Sequence, residues 1–218
     1  IDIPEPIEFE HSSGGSKSVS DAASLLSEAK APVILNGAGV VLSKGGISAS
    51  MKLAERLDAP VCVGYQHNDA FPGNHPLFAG PLGYNGSKAA MQLIKEADVV
   101  LCLGTRLNPF STLPGYGLEY WPSKAKIIQV DINPDRIGLT KKVSIGIVGD
   151  AGKVAMDIFS QLSETAGDSN REARKVNIAE TKSKWAQQLS SMDHEDDDPG
   201  TCLLYTSPSP RDVEECRM

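Results

Sequence analysis

Two stretches combine residue types and spacing that chemistry could use. "ADVVLCLGTR" (97–106) runs five apolar residues into Gly104, Thr105 and Arg106, and "AKIIQVDINP" (125–134) runs into Asp131. A short, continuous apolar run bounded by a turn signal is the pattern of a strand buried on both faces. Arg106 at such a strand end could grip a phosphate with its bidentate fork, or pair with Asp131 or another strand-end carboxylate. Asp131 suits a nucleotide ribose or a helix cap.

Other candidates carry less. In "NGAG" (36–39) the dinucleotide fingerprint wants Gly or Ala three residues after Gly39, where Leu42 stands. The stretch is therefore read as a tight strand-to-helix turn that tolerates a phosphate. His67, Asp69 and His75 lie in one stretch, 64–86, read as a long Gly- and Pro-rich loop, but their spacing fits no common helix-borne metal site, which points to separate hydrogen-bonding roles. The acidic run at 193–198 reads as a solvated linker. No nucleophile elbow, P-loop, H-E-x-x-H or paired-carboxylate pattern occurs. No catalytic residue and no metal ligand is assigned.

The elements that must position these residues alternate. Helical spacing is seen over 18–30, 47–57, 87–96 and 151–162, and strand runs over 33–35, 60–63, 99–103, 125–131 and 143–148. Five strands separated by helices and loops predict an α/β fold with a doubly wound parallel sheet. Such sheets bind ligands beyond the carboxyl ends of their strands, where Gly37, Gly39, Gly64, Gly104 and Gly149 fall. The polar segment 163–170 precedes a helix over 171–189 whose sparse apolar positions (Val176, Ile178, Trp185, Leu189) predict a surface or interdomain helix.

The net charge of −7 argues against a nucleic-acid or anionic-membrane surface. No apolar run has the length of a membrane span. Cys62 and Cys102 sit within strand runs, and no C-x-x-C pair exists among the four cysteines, so a reducing cytoplasm is expected. "CLLYTSPSPRD" (202–212) resembles a translated sequencing adapter and is set aside from fold reasoning. The expected organisation is an interdomain linker (1–17), a central domain (18–165), a linker helix with an acidic loop (166–201) and the adapter-like segment (202–218).

The motifs "APVILNGAGV", "GYQHNDAFPGNHPLFAGPLGYNG", "ADVVLCLGTRLNPF", "AKIIQVDINPDRIG" and "VGDA" occur in the order and spacing of the central domain of thiamine-diphosphate enzymes, and the chain resembles that family. The resemblance implies a Rossmann-like domain between N- and C-terminal catalytic domains of a longer chain. Those domains would supply the activating glutamate and the G-D-G…N magnesium and diphosphate motif. It implies thiamine diphosphate and Mg2+ in the parent, a homo-oligomer, and a fragment inactive alone.

Acetolactate synthases of this family place a flavin at positions that correspond here to Gly37, Gly39, Gly83, Asn85, Gly86, Gly104, Arg106 and Asp131. The segments "NPFSTLPGYGLEYWP" and "SSMDHEDDDPGT" resemble instead the sulfoacetaldehyde acetyltransferase branch, which forms acetyl phosphate and sulfite from sulfoacetaldehyde and phosphate. That branch is not expected to need FAD, and the crevice would then be vestigial or structural. The same departure appears at Arg106-Leu107-Asn108-Pro109, where acetolactate synthases carry an Arg-Phe-Asp-Asp type segment.

Overall fold

The computed structural model describes residues 13–84, 86–166 and 170–191. Asn85, most of the expected N-terminal linker, the acidic run and the adapter-like segment lie outside the described residues. The chain divides into two units, Ile1–Trp185 and Ala186–Met218. The described part of the second, 186–191, is the last stretch of a helix and the residue after it.

The first unit is built on six parallel strands: β1 (Pro32–Asn36), β2 (Val61–Gly64), β3 (Phe78–Leu82), β4 (Val99–Leu103), β5 (Lys126–Asp131) and β6 (Ile145–Val148), in the order β3-β2-β1-β4-β5-β6. β1, β2 and β4 are buried along their whole length, as their unbroken apolar runs require. The sheet is wound outward in both directions from β1 and β4, which are paired from Pro32↔Val99 to Asn36↔Leu103. That reversal of strand order makes the crevice at their carboxyl ends.

Helices α1 (Ser16–Glu28), α3 (Gly46–Leu57) and α5 (Ala151–Gln161) pack together, α5 touching both of the others. Between β1 and α3 lies the short α2 (Ala38–Leu42). Helix α4 (Lys88–Lys95) leads from β3 back to β4 and packs on β2 and β3. Because it crosses the sheet in the opposite direction to α3, a right-handed crossover puts it on the opposite face. Asp150 caps α5 by accepting from the amides of Gly152 and Lys153 at 3.1 and 3.0 Å, and it accepts the Ser43 hydroxyl at 2.6 Å.

The sixth strand, β3, lies inside the stretch read from sequence as a long loop. Gly80 (φ +111°) and Pro81 disguise it. An edge strand bonds a neighbour on one side only, so it tolerates a proline that an inner strand would not. Its pairing with β2 is interrupted by a register shift between Val61 and Cys62.

Helix α6 (Arg171–Ser190) is present where expected, but its apolar residues are not its main anchor. Val176 stays exposed; Ile178 is buried, and the Trp185 and Tyr116 rings meet in a T-shaped contact with centroids 5.3 Å apart. The anchor is the buried guanidinium of Arg174, which donates to Leu57 O at 2.9 Å, Asp58 O at 3.2 Å and Lys30 O at 2.8 Å. These carbonyls end α3 and follow α1, where helix carbonyls lack partners of their own. Arg171 adds an ion pair with Asp58.

Cys62 and Cys102 flank Leu35 across β1, one strand to each side, and both are fully buried. Burial pushes both thiols far above their ordinary range. Neither is expected to react with iodoacetamide at pH 8 in the folded chain, and both should label on denaturation, read by peptide mass. The folded state holds these protons after unfolded thiols lose theirs. Their contribution to stability is therefore intact below the unfolded thiol pKa of ~8.5 and is lost as pH rises past it.

Candidate functional site

The reversal point between β1 and β4 opens into a cavity of about 240 Å³ lined by Gly37, Gly64, His67, Gly104, Arg106 and Arg136 among others. A second cavity of about 300 Å³ adjoins it across Ala38, Gly104 and Arg136 and is lined by Gly39, Leu42, Asp131, Ile132 and Asp150. Together they form one crevice: Arg106 lines the first cavity, Asp131 and Asp150 the second, and Arg136 both.

Its floor is two glycine turns pressed together. Gly37 N donates to Leu103 O and Gly39 N to Gly104 O, both at 2.9 Å. A methyl group on Gly39 would sit 2.6 Å from Gly104 Cα, and one on Gly104 would sit 2.5 Å from Gly39 Cα. Backbone packing alone therefore demands glycine at both positions. It also occupies two of the amides that a dinucleotide turn would aim at phosphates, and α2 has only five residues. An anion entering this crevice would meet side chains rather than these two amides.

Two arginines are available for it. Arg106 and Arg136 are both exposed on the cavity wall, and among the described residues neither forms an ion pair or a side-chain hydrogen bond. Asp131 is buried and does not neutralise Arg106; its Oδ1 accepts from Asn133 N at 2.9 Å to hold the turn after β5. The Arg106 turn is itself unusual. Leu107 takes φ +52° while almost wholly buried, with its amide donating to Thr105 Oγ1 at 3.2 Å.

Gln129 joins the two arginine turns. From the buried middle of β5 its Nε2 donates to Thr105 O and Arg136 O, both at 3.1 Å, and its Oε1 accepts from Gly138 N at 2.9 Å. The sequence signal was there: a lone amide inside "KIIQVD". Gln129→Leu takes the partner from Thr105 O and Gly138 N and leaves Arg136 O only the long 3.5 Å bond from Leu139 N, and it should lower unfolding free energy by about 2–3 kcal/mol in urea melts. Asn36 does similar work at the end of β1. Its Nδ2 donates to Ser50 Oγ at 2.8 Å and Ala70 O at 3.0 Å, holding the 64–70 loop that carries Gln66 and His67 to the cavity.

Of the residues singled out from sequence, Gly37, Gly39, Gly104, Arg106 and Asp131 line the crevice. Gly83 and Gly86 line neither cavity. Gly83 packs against Phe110 O and Gly86 against Pro81 O, where side chains would not fit. Arg136, Gln66, His67, Asn108 and Ser111 line the crevice without having been singled out as nucleotide ligands. His67 and His75 do not converge: His67 follows β2, whereas His75 precedes β3 and bonds Glu55 at 3.2 Å.

The family model described as thiamine pyrophosphate enzyme, central domain, matches residues 19–158. The chain is 71% identical over 201 residues to a sulfoacetaldehyde acetyltransferase of Roseovarius nubinhibens, covering 92% of this chain and 33% of that protein. It is 65% identical over 201 residues to the enzyme of the same name from Rhodobacter capsulatus, covering 92% and 34%. Benzoylformate decarboxylase of Polynucleobacter necessarius shares the fold, with a TM-score of 0.61 at 21% identity over 78% of this chain and 31% of that one. The chain thus spans about a third of the length of the curated relatives it matches. With its six-stranded parallel sheet and the match across 19–158, it belongs to the thiamine pyrophosphate enzyme central-domain family.

Proposed function

We propose that this chain is the central domain of a thiamine-diphosphate-dependent sulfoacetaldehyde acetyltransferase, whose whole reaction turns sulfoacetaldehyde and phosphate into acetyl phosphate and sulfite. The observation that carries the reading is 71% identity sustained over 201 residues with a protein of that name. In this reading the domain joins N- and C-terminal catalytic domains within a cytoplasmic homo-oligomer and is inert alone.

The residues present do not fit the cofactor. The sequence lacks the G-D-G…N motif, and among the described residues no group of three or more His, Cys, Asp or Glu could hold a metal ion. Thiamine diphosphate and Mg2+ are therefore assigned to the remaining two thirds of the parent, and no catalytic step is routed through this domain. The complete protein should form acetyl phosphate from sulfoacetaldehyde and phosphate. Formation of 2-acetolactate from pyruvate instead would move it to the acetolactate synthase-like alternative.

A second reading of the crevice has one observation in its favour: Arg106 and Arg136 stand on the wall of one cavity without ion pairs among the described residues. They could take the phosphates of an adenine nucleotide or of FAD at Gly37, Gly39, Gly104 and Asp131. Saturable ADP or FAD binding that is lost in Arg106→Ala supports it. No binding up to millimolar nucleotide leaves the crevice structural.

A further inference from the structure

A second cleft lies at the other end of the sheet, beside the start of β5. Its volume is about 440 Å³, and Lys124, Lys126, Lys141 and Lys142 line it together with Trp121. No carboxylate lines it. Among the described residues none of the four lysines forms an ion pair. In a chain with 28 acidic and 21 basic residues, four lysines lining one cleft run against the average charge. Their mutual repulsion is relieved by whatever multiply charged anion enters.

The cleft also has shape. Lys141 Nζ is held 5.0 Å from the Trp121 ring centroid by a cation–π contact, which fixes one charge at the wall. Lys124 and Lys126 stand two residues apart at the entry to β5, and Lys141 and Lys142 approach from the loop before β6. Ser123 and Ser144 line the cleft, and their side chains make no hydrogen bond among the described residues, so both hydroxyls are free to donate. Lys126 also borders a neighbouring cleft containing Glu28 and Asp98. The Asp98 carboxylate is taken up by the amides of Lys30 and Ala31 at 2.8 and 2.9 Å. Ammonium groups with hydroxyl donors and no acceptor charge are a phosphate-binding set.

We propose that this cleft binds a small phosphate-bearing molecule with two or more negative charges, through Lys124, Lys141 and Lys142 with Lys126 at its border. The site is separate from the crevice at the opposite strand ends and does not rest on the assignment of the parent's activity.

The test uses the full 218-residue chain carrying Trp185→Phe, which leaves Trp121 as the sole tryptophan. Pyrophosphate is titrated at constant ionic strength, read by calorimetry and by Trp121 fluorescence. Saturable binding is expected, weakened about tenfold or more by Lys141→Gln with Lys142→Gln and unchanged by Lys52→Gln at an exposed position of α3. Parallel titrations with inorganic phosphate and with ADP separate a free anion from a phosphate ester. Saturation with none of the three overturns the proposal. So does full-strength binding by the double variant, or by Lys142→Gln alone should the double variant melt early. Binding that is lost in Arg106→Gln/Arg136→Gln and kept in the lysine variants would place the anion in the crevice and equally overturn it.

Discussion

Gly104→Val is expected to yield almost no soluble, folded chain. The residue sits at φ +59°, and its Cβ would meet three backbone atoms of Gly39 at 2.5, 2.8 and 2.9 Å. Backbone cannot rotate away as a side chain can, and on the other side Gly39 is bonded to Gly104 O. A β-branched residue at that φ adds its own steric penalty. The combined cost of about 4 kcal/mol or more is a large part of the ~5–15 kcal/mol that holds a domain together. Gly45→Ala is the comparison: it too has positive φ, +76°, but a methyl group there meets nothing within 4 Å. It should lose only about 1–2 kcal/mol in urea melts. Equal losses would show that left-handed backbone, not the contact of the two turns, sets the requirement.

Arg174→Met is expected to cost about 3–5 kcal/mol and to release α6 from the first unit's core. Methionine replaces the stem but leaves Leu57 O, Asp58 O and Lys30 O without their donor. Burial lowers the Arg174 pKa from its ordinary value, and the nearby Asp58 carboxylate works against that shift. Release of α6 should appear as loss of the Tyr116–Trp185 contact, read as a red shift of Trp185 emission in a Trp121→Phe background, with new protease cleavage within 171–185. Unchanged emission and an unchanged melt would mean that Ile178 and Arg171 hold the helix without it.

The central strands were legible because β1, β2 and β4 are buried on both faces and must be apolar throughout, which leaves short uninterrupted runs in the sequence. β3 was not, because as an edge strand it accommodates Gly80 and Pro81 and spells a loop. The glycines of the crevice were legible as punctuation, but not what they do. Periodicity cannot show that Gly39 and Gly104, 65 residues apart, touch backbone to backbone. Arg106 stood out beside its strand end, whereas Arg136 reaches the same cavity from the loop after β5 and carried no signal. Arg174 was hidden among the charges of a polar helix, since burial of a guanidinium depends on carbonyls at the ends of α1 and α3 that sequence does not place near it.

The central claim is that this domain belongs to a sulfoacetaldehyde acetyltransferase and performs no chemistry by itself. Sulfite release tests it most directly, measured side by side for the 218-residue chain and the complete protein, each with sulfoacetaldehyde, phosphate, thiamine diphosphate and Mg2+. The account predicts sulfite from the complete protein, dependent on phosphate, and none from the chain alone at any cofactor concentration. Sulfite released by the chain alone, or none from the complete protein, would contradict it.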